Sequence, residues 1–114
     1  MLTLFLKKQG HQVAVTENGR ECVNSALKDF YDLLITDIDM PELNGIECAA
    51  QIRQAGIELP IIAITATVSE IIRENCFKAG MNAFMGKPIN FPELKEKLLE
   101  LSSEKLKTHS VSAN

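Results

Sequence analysis

Two mostly continuous apolar runs, Asp32-Leu33-Leu34-Ile35-Thr36-Asp37 and Ile61-Ile62-Ala63-Ile64-Thr65, constrain this chain more than any other feature. Neither alternates polar with apolar, so each reads as a strand covered on both faces, and such strands belong to parallel sheets packed between helices. The segments around them supply the helices. Over residues 20–30, Cys22, Val23, Ala26, Leu27 and Phe30 recur one turn apart as an amphipathic stripe. Ile46, Ala49, Ala50 and Ile52 make a second stripe that stops at Gly56. Ser69 caps a third, which carries Ile71, Ile72, Cys76 and Phe77 and ends at Gly80. A final helix starts at Asn90 or Phe91 and sets Leu94, Leu98 and Leu101 on one face. Short strands are predicted over 12–15 and 82–85, after a helical fragment ending near Lys8. Strands separated by helices give βαβ units and an α/β fold. The 114 residues suit one domain, read as a folded unit over 1–101 followed by a polar tail or linker over 102–114.

Composition narrows the function. A net charge of -3 and a pI near 5.4 provide no positive field for a polyphosphate backbone, so nucleic acid is not expected as a direct ligand. Cys22, Cys48 and Cys76 are odd in number and widely spaced, which fits neither a disulfide framework nor a zinc site. They read as small buried apolar residues in a reducing compartment. The apolar residues 1–6 lack a basic leader and stop at Lys7-Lys8, too short for a signal peptide or a membrane span. The expected location is the cytoplasm, or the cytoplasmic side of a membrane-bound assembly, without membrane insertion. Neither GxGxxG nor GxxxxGK[ST] occurs, so no nucleotide is expected.

Ligands of open parallel sheets sit beyond the carboxyl ends of the strands, which directs attention to Asp37, Thr65 and Lys87. Each alone has an ordinary reading as a turn acid, a strand residue and a solvated loop charge. Leaving three successive strand ends, however, they converge on one small polar cleft. An ammonium beside a carboxylate favours the ionised nucleophile, with an attraction of roughly 4 kcal/mol at 4 Å for an effective dielectric near 20. Thr65 adds a donor for an incoming phosphoryl oxygen.

Asp37-Ile38-Asp39-Met40-Pro41, Asn44-Gly45, Ile64-Thr65-Ala66, Ala79-Gly80-Met81 and Lys87-Pro88, in this order and spacing, resemble the receiver domains of two-component signalling. The similarity runs over about residues 2–101, and Met81-Asn82-Ala83-Phe84 with Lys87-Pro88-Ile89 is most similar to receivers attached to hybrid sensor histidine kinases. The resemblance implies a flavodoxin-like, doubly wound parallel sheet. It implies a phosphoacceptor domain rather than an enzyme, with Asp37 taking a phosphoryl group from a histidine kinase or a histidine phosphotransfer domain. Lys87 would contact the phosphoryl oxygens, Thr65 would swing its hydroxyl toward them, and Phe84 would be the aromatic that reports the modified state. A cis peptide is implied at Lys87-Pro88.

Receivers also open with an apolar strand ending in an acidic pair that holds Mg²⁺, and this chain shows neither. Leu6-Lys7-Lys8-Gln9-Gly10-His11 matches the end of the family's first helix, implying a shortened chain, an internal start or a fragment. Asp37 and the backbone carbonyl of Asp39 then make a weak Mg²⁺ site, and phosphorylation is expected to be impaired. In the family's strand order, 2-1-3-4-5, the missing strand belongs between 12–15 and 33–37. Losing about four buried aliphatics there removes roughly 6 to 12 kcal/mol, the whole margin of an ordinary domain. The gap is therefore expected to close by movement of strand 12–15, or by a second chain as a homo-oligomer.

Two other readings accompany this one. A receiver-shaped module without phosphorylation would bind a partner through its last helices. A phosphatase resembling the haloacid dehalogenase type would use Asp37-Ile38-Asp39, Thr65 and Lys87, and needs a later acidic cluster for which only Glu93 and Glu96 are available.

Overall fold

The computed structural model describes residues 2–8, 11–15, 18–28, 31, 33–39, 44–102 and 109–113, and within them helices and strands alternate strictly. In chain order these are α1 (Leu2–Lys8), β1 (His11–Val15), α2 (Gly19–Lys28), β2 (Leu33–Asp37), α3 (Gly45–Gln54), β3 (Ile61–Thr65), α4 (Glu70–Lys78), β4 (Ala83–Gly86), α5 (Phe91–Ser102) and β5 (His109–Ala113). All strand pairs are parallel, in the order β1-β5-β2-β3-β4.

The two apolar runs lie where continuous hydrophobicity is needed. Leu33 to Thr36 of β2 and all of β3 are buried, and their alternate residues feed two cores. Leu34, Ile61 and Ala63 pack with Cys22, Val23 and Ala26 of α2, Cys48, Ala49 and Ile52 of α3, and Cys76 of α4. On the other face, Leu33, Ile35, Ile62 and Ile64 meet Leu6 of α1 and Leu94 and Leu98 of α5. Helices thus cover both faces of the sheet, as the α/β reading requires. The helix stripes are narrower than the sequence suggests, since Leu27, Ile71 and Phe77 are exposed, and Phe30 lies outside the described residues.

The helix ends have local causes. Asn44 caps α3 by accepting from the Glu47 amide at 2.9 Å, while the Glu47 carboxylate accepts from the Asn44 amide at 3.2 Å, a complete capping box. Ser69 caps α4 through the Ile72 amide at 3.2 Å. Gly80, at φ 99°, turns the chain out of α4 in the left-handed region that glycine reaches without steric cost.

One expectation needs correction. The central gap is not closed by β1 moving next to β2, and it needs no strand from a second chain. Residues 109–113, read from sequence as part of a polar tail, form β5 between β1 and β2. Val111 is paired with Val13 on one side and Leu33 on the other. The physical reason is the ladder itself. Two facing rows of unpaired amides and carbonyls accept any segment that can lie extended, so backbone pairing recruits a stretch whose side chains gave little sign of a strand.

Candidate functional site

Parallel register brings the carboxyl ends of β2, β3 and β4 to one rim. Asp37 lies opposite Ile64, and Thr65 opposite Gly86, so Lys87 leaves the sheet beside them. The rim is stitched by the main chain, with Ile38 N donating to Ile64 O at 3.0 Å and Lys87 N to Thr65 O at 2.8 Å. Lys87-Pro88 is a cis peptide, as the resemblance implied.

The side chains meet as the strand-end argument predicts. Lys87 Nζ donates to Asp37 Oδ2, forming an ion pair with side-chain exposures of 42% and 19%. A pair this open to water adds only about 0 to 1 kcal/mol to folding, so its consequence is positional: it orients the Asp37 carboxylate. The other oxygen, Asp37 Oδ1, accepts from the Asp39 amide at 2.8 Å. Thr65 is fully buried, accepts from the Thr67 amide at 3.0 Å and donates to Asp39 Oδ2 at 3.3 Å. Asp37, Asp39, Thr65 and Lys87 therefore form one connected polar cluster.

Phe84 lies apart from that hydrogen-bonded cluster. It sits in β4 opposite Ala63, partly buried against the α2, α3 and α4 layer, and lines a groove of about 290 Å³ with Arg73, Phe77 and Lys97.

Two residues named from sequence take part in ways the sequence did not assign. Asp39, named from sequence for its backbone carbonyl, also accepts from Thr65 through its side chain. Gly45 gives the site loop its close turn, because a Cβ there would stand 2.9 Å from both Asp37 O and Ile38 Cα. The asparagine-to-glutamate spacing of the capping box is the sequence signal for where α3 begins after this loop.

The carboxylates bear on a metal. Mg²⁺ takes octahedral oxygen ligands and keeps several waters. Among the described residues Asp37 and Asp39 are the acids brought together at the rim, and no group of three or more His, Cys, Asp or Glu there could hold a metal ion. The donors among the described residues, two carboxylates, fall short of a complete octahedral Mg²⁺ site without waters or further ligands. Glu93 and Glu96 are exposed on α5 and supply no later acidic cluster for the phosphatase reading. No described helix is long and apolar enough to cross a membrane.

Comparison with known proteins agrees with this geometry. The chain is 28% identical over 101 residues to sensor histidine kinase RcsC of Salmonella typhi, covering 89% of this chain and 11% of the relative. It is 34% identical over 102 residues to sensor protein EvgS of Escherichia coli K12, covering 86% and 8%. It thus spans about a tenth of the length of these relatives. Among solved structures, the receiver domain of sensor histidine kinase PA1611 from Pseudomonas aeruginosa PAO1, crystallised with magnesium in its active site cleft, superposes with a TM-score of 0.82. Identity is 33%, covering 90% of this chain and 86% of that one. The receiver domain of the Saccharomyces cerevisiae response regulator Ssk1, solved with the histidine phosphotransfer protein Ypd1, gives 0.83 at 29% identity, covering 93% and 83%. The model of the response regulator receiver domain matches residues 1–99, and a chain that shares this fold, these relatives and that match belongs to the receiver-domain family of two-component phosphorelay signalling.

Proposed function

We propose that Asp37 is the phosphoacceptor of this receiver, taking a phosphoryl group from a histidine kinase or a histidine phosphotransfer domain. The observation that carries the reading is the orientation of its carboxylate, held by Lys87 on one oxygen and by the Asp39 amide on the other. In the transfer, an Asp37 oxygen forms a P–O bond as the P–N bond of phosphohistidine breaks, and the electron pair leaves on the imidazole nitrogen. Lys87 then has a phosphoryl oxygen in place of a carboxylate oxygen as its partner. The buried Thr65 hydroxyl donates to Asp39, whose amide holds Asp37, and would be drawn from there toward a phosphoryl group. Phe84, packed against the helical layer one strand away, would read that change through β4. The domain acts on itself rather than turning over a substrate, and sits at the cytoplasmic side of its signalling assembly.

With Asp37 and Asp39 as the rim acids among the described residues, Mg²⁺ binding is weak and phosphorylation is slow. The same shortage favours a second reading, in which this chain serves as an interaction module without phosphorylation. Incubation with acetyl phosphate and Mg²⁺, followed by intact mass measurement, separates them. Slow addition of one phosphoryl group that Asp37→Asn abolishes supports the first. An unmodified wild-type chain supports the second, and labelling that persists in the variant removes Asp37 from its role.

A further inference from the structure

Cys22 and Cys48 face each other across the α2 and α3 packing, and the receiver chemistry makes no use of them. Both are fully buried in the same core cluster. The Cys48 thiol donates to Gly19 O at 3.2 Å, and Gly19 lies one turn before Cys22 on the same face of α2. Cys22 lies in the same cluster, and its thiol is the neighbour that most perturbs the Cys48 thiol. Two buried thiols brought close on adjacent helices are a different chemical object from three dispersed cysteines.

We propose that Cys22 and Cys48 are a modification site, a dithiol that a peroxide converts into a disulfide stapling α2 to α3. The balance is simple. Peroxide oxidises one thiol to a sulfenic acid and releases water. The second thiol attacks that sulfur, the S–O bond breaks, the S–S bond forms and a second water leaves. Two electrons pass from the two sulfurs to the O–O bond. The contact with Cys22 and burial push the Cys48 thiol well above the usual range, and burial also raises Cys76. The thiolate is therefore scarce while the helices stay packed, and the reaction awaits local opening of α2 from α3. Such a site responds to sustained oxidant and ignores brief exposure.

The staple would act close to the acceptor. Cys48 N bonds Asn44 O at 3.0 Å, so the cross-link would lie one turn from the cap that ends the site loop.

The test is peroxide treatment of the chain under native conditions, alkylation, trypsin digestion and mass spectrometry. Cleavage separates the three cysteines into peptides 21–28, 29–53 and 74–78. The expected product is peptide 21–28 joined to 29–53 with loss of two hydrogens, while 74–78 remains alkylated. Cys22→Ser and Cys48→Ser each abolish the link, and Cys76→Ser leaves it intact. A chain oxidised in concentrated urea is the control. The separations 22 to 48 and 48 to 76 are nearly equal, so an unfolded chain forms both links in similar amounts. The same mixture from the native sample, or no link there at all, overturns the proposal.

Discussion

Arg53 shows how much one side chain can hold without touching the chemistry. Its guanidinium donates to Gly80 O at 3.1 and 2.8 Å, to Ile57 O at 2.7 Å and to Asn82 Oδ1 at 3.1 Å. Asn82 Oδ1 also accepts from Ile61 N at 2.9 Å, so one fork ties the end of α3 to the turn after α4 and to the start of β3. A lysine carries the charge but not the planar fork. Arg53→Lys should lower stability by about 1–3 kcal/mol, seen as a lower urea midpoint with an unchanged slope. Because Gly80, Asn82 and Ile61 lie at the amino ends of the strands, the folded variant should take up phosphoryl groups as the wild type does. Sequence reasoning handled residues at this scale unevenly. Asp37 and Lys87 were legible because strand ends are where such folds place ligands. The Asp39 to Thr65 contact was not, since the orientation of a loop carboxylate depends on the hydroxyl that happens to face it.

At the scale of elements, legibility followed how far each segment's own side chains settle its state. β2 and β3 are written in apolar runs, and α3 and α4 carry their caps as Asn44 and Ser69. β5 is the counterexample. His109-Ser110-Val111-Ser112-Ala113 holds one large apolar residue, and its strand conformation comes from the ladders on either side. The α3 cap carries a prediction of its own, because Asn44 both satisfies the Glu47 amide and fixes where the helix begins after the site loop. Asn44→Ala should cost about 1 kcal/mol by thermal or urea unfolding, whereas Asn44→Asp, which keeps an accepting oxygen, should stay close to wild type. Equal losses in the two variants would show that the capping bond contributes nothing.

Across the whole molecule, the strand order makes β5 the joint between two parts. Among the described residues β1 pairs in the sheet with β5 alone, while β2, β3 and β4 form a continuous ladder that ends at β5 on its other side. Within the sheet, β1 is thus joined to the strands that end at Asp37, Thr65 and Lys87 through five residues, His109–Ala113, while α1 also packs on β2 and β3 through Leu6. Proline has no amide to donate and is confined to sheet edges, so Val111→Pro tests this joint at the residue paired on both sides. The stranded ladder acceptor costs about 1–3 kcal/mol, and the loss is not spread evenly. Hydrogen exchange should show protection falling sharply in β1 and along β2, with β3 and β4 retaining most of theirs. The uncovered edge of β2 should then promote association, visible as a concentration-dependent elution volume that the wild type lacks. If β1 stays protected and the variant elutes at the wild-type position at every concentration, β5 is not what holds the two parts together.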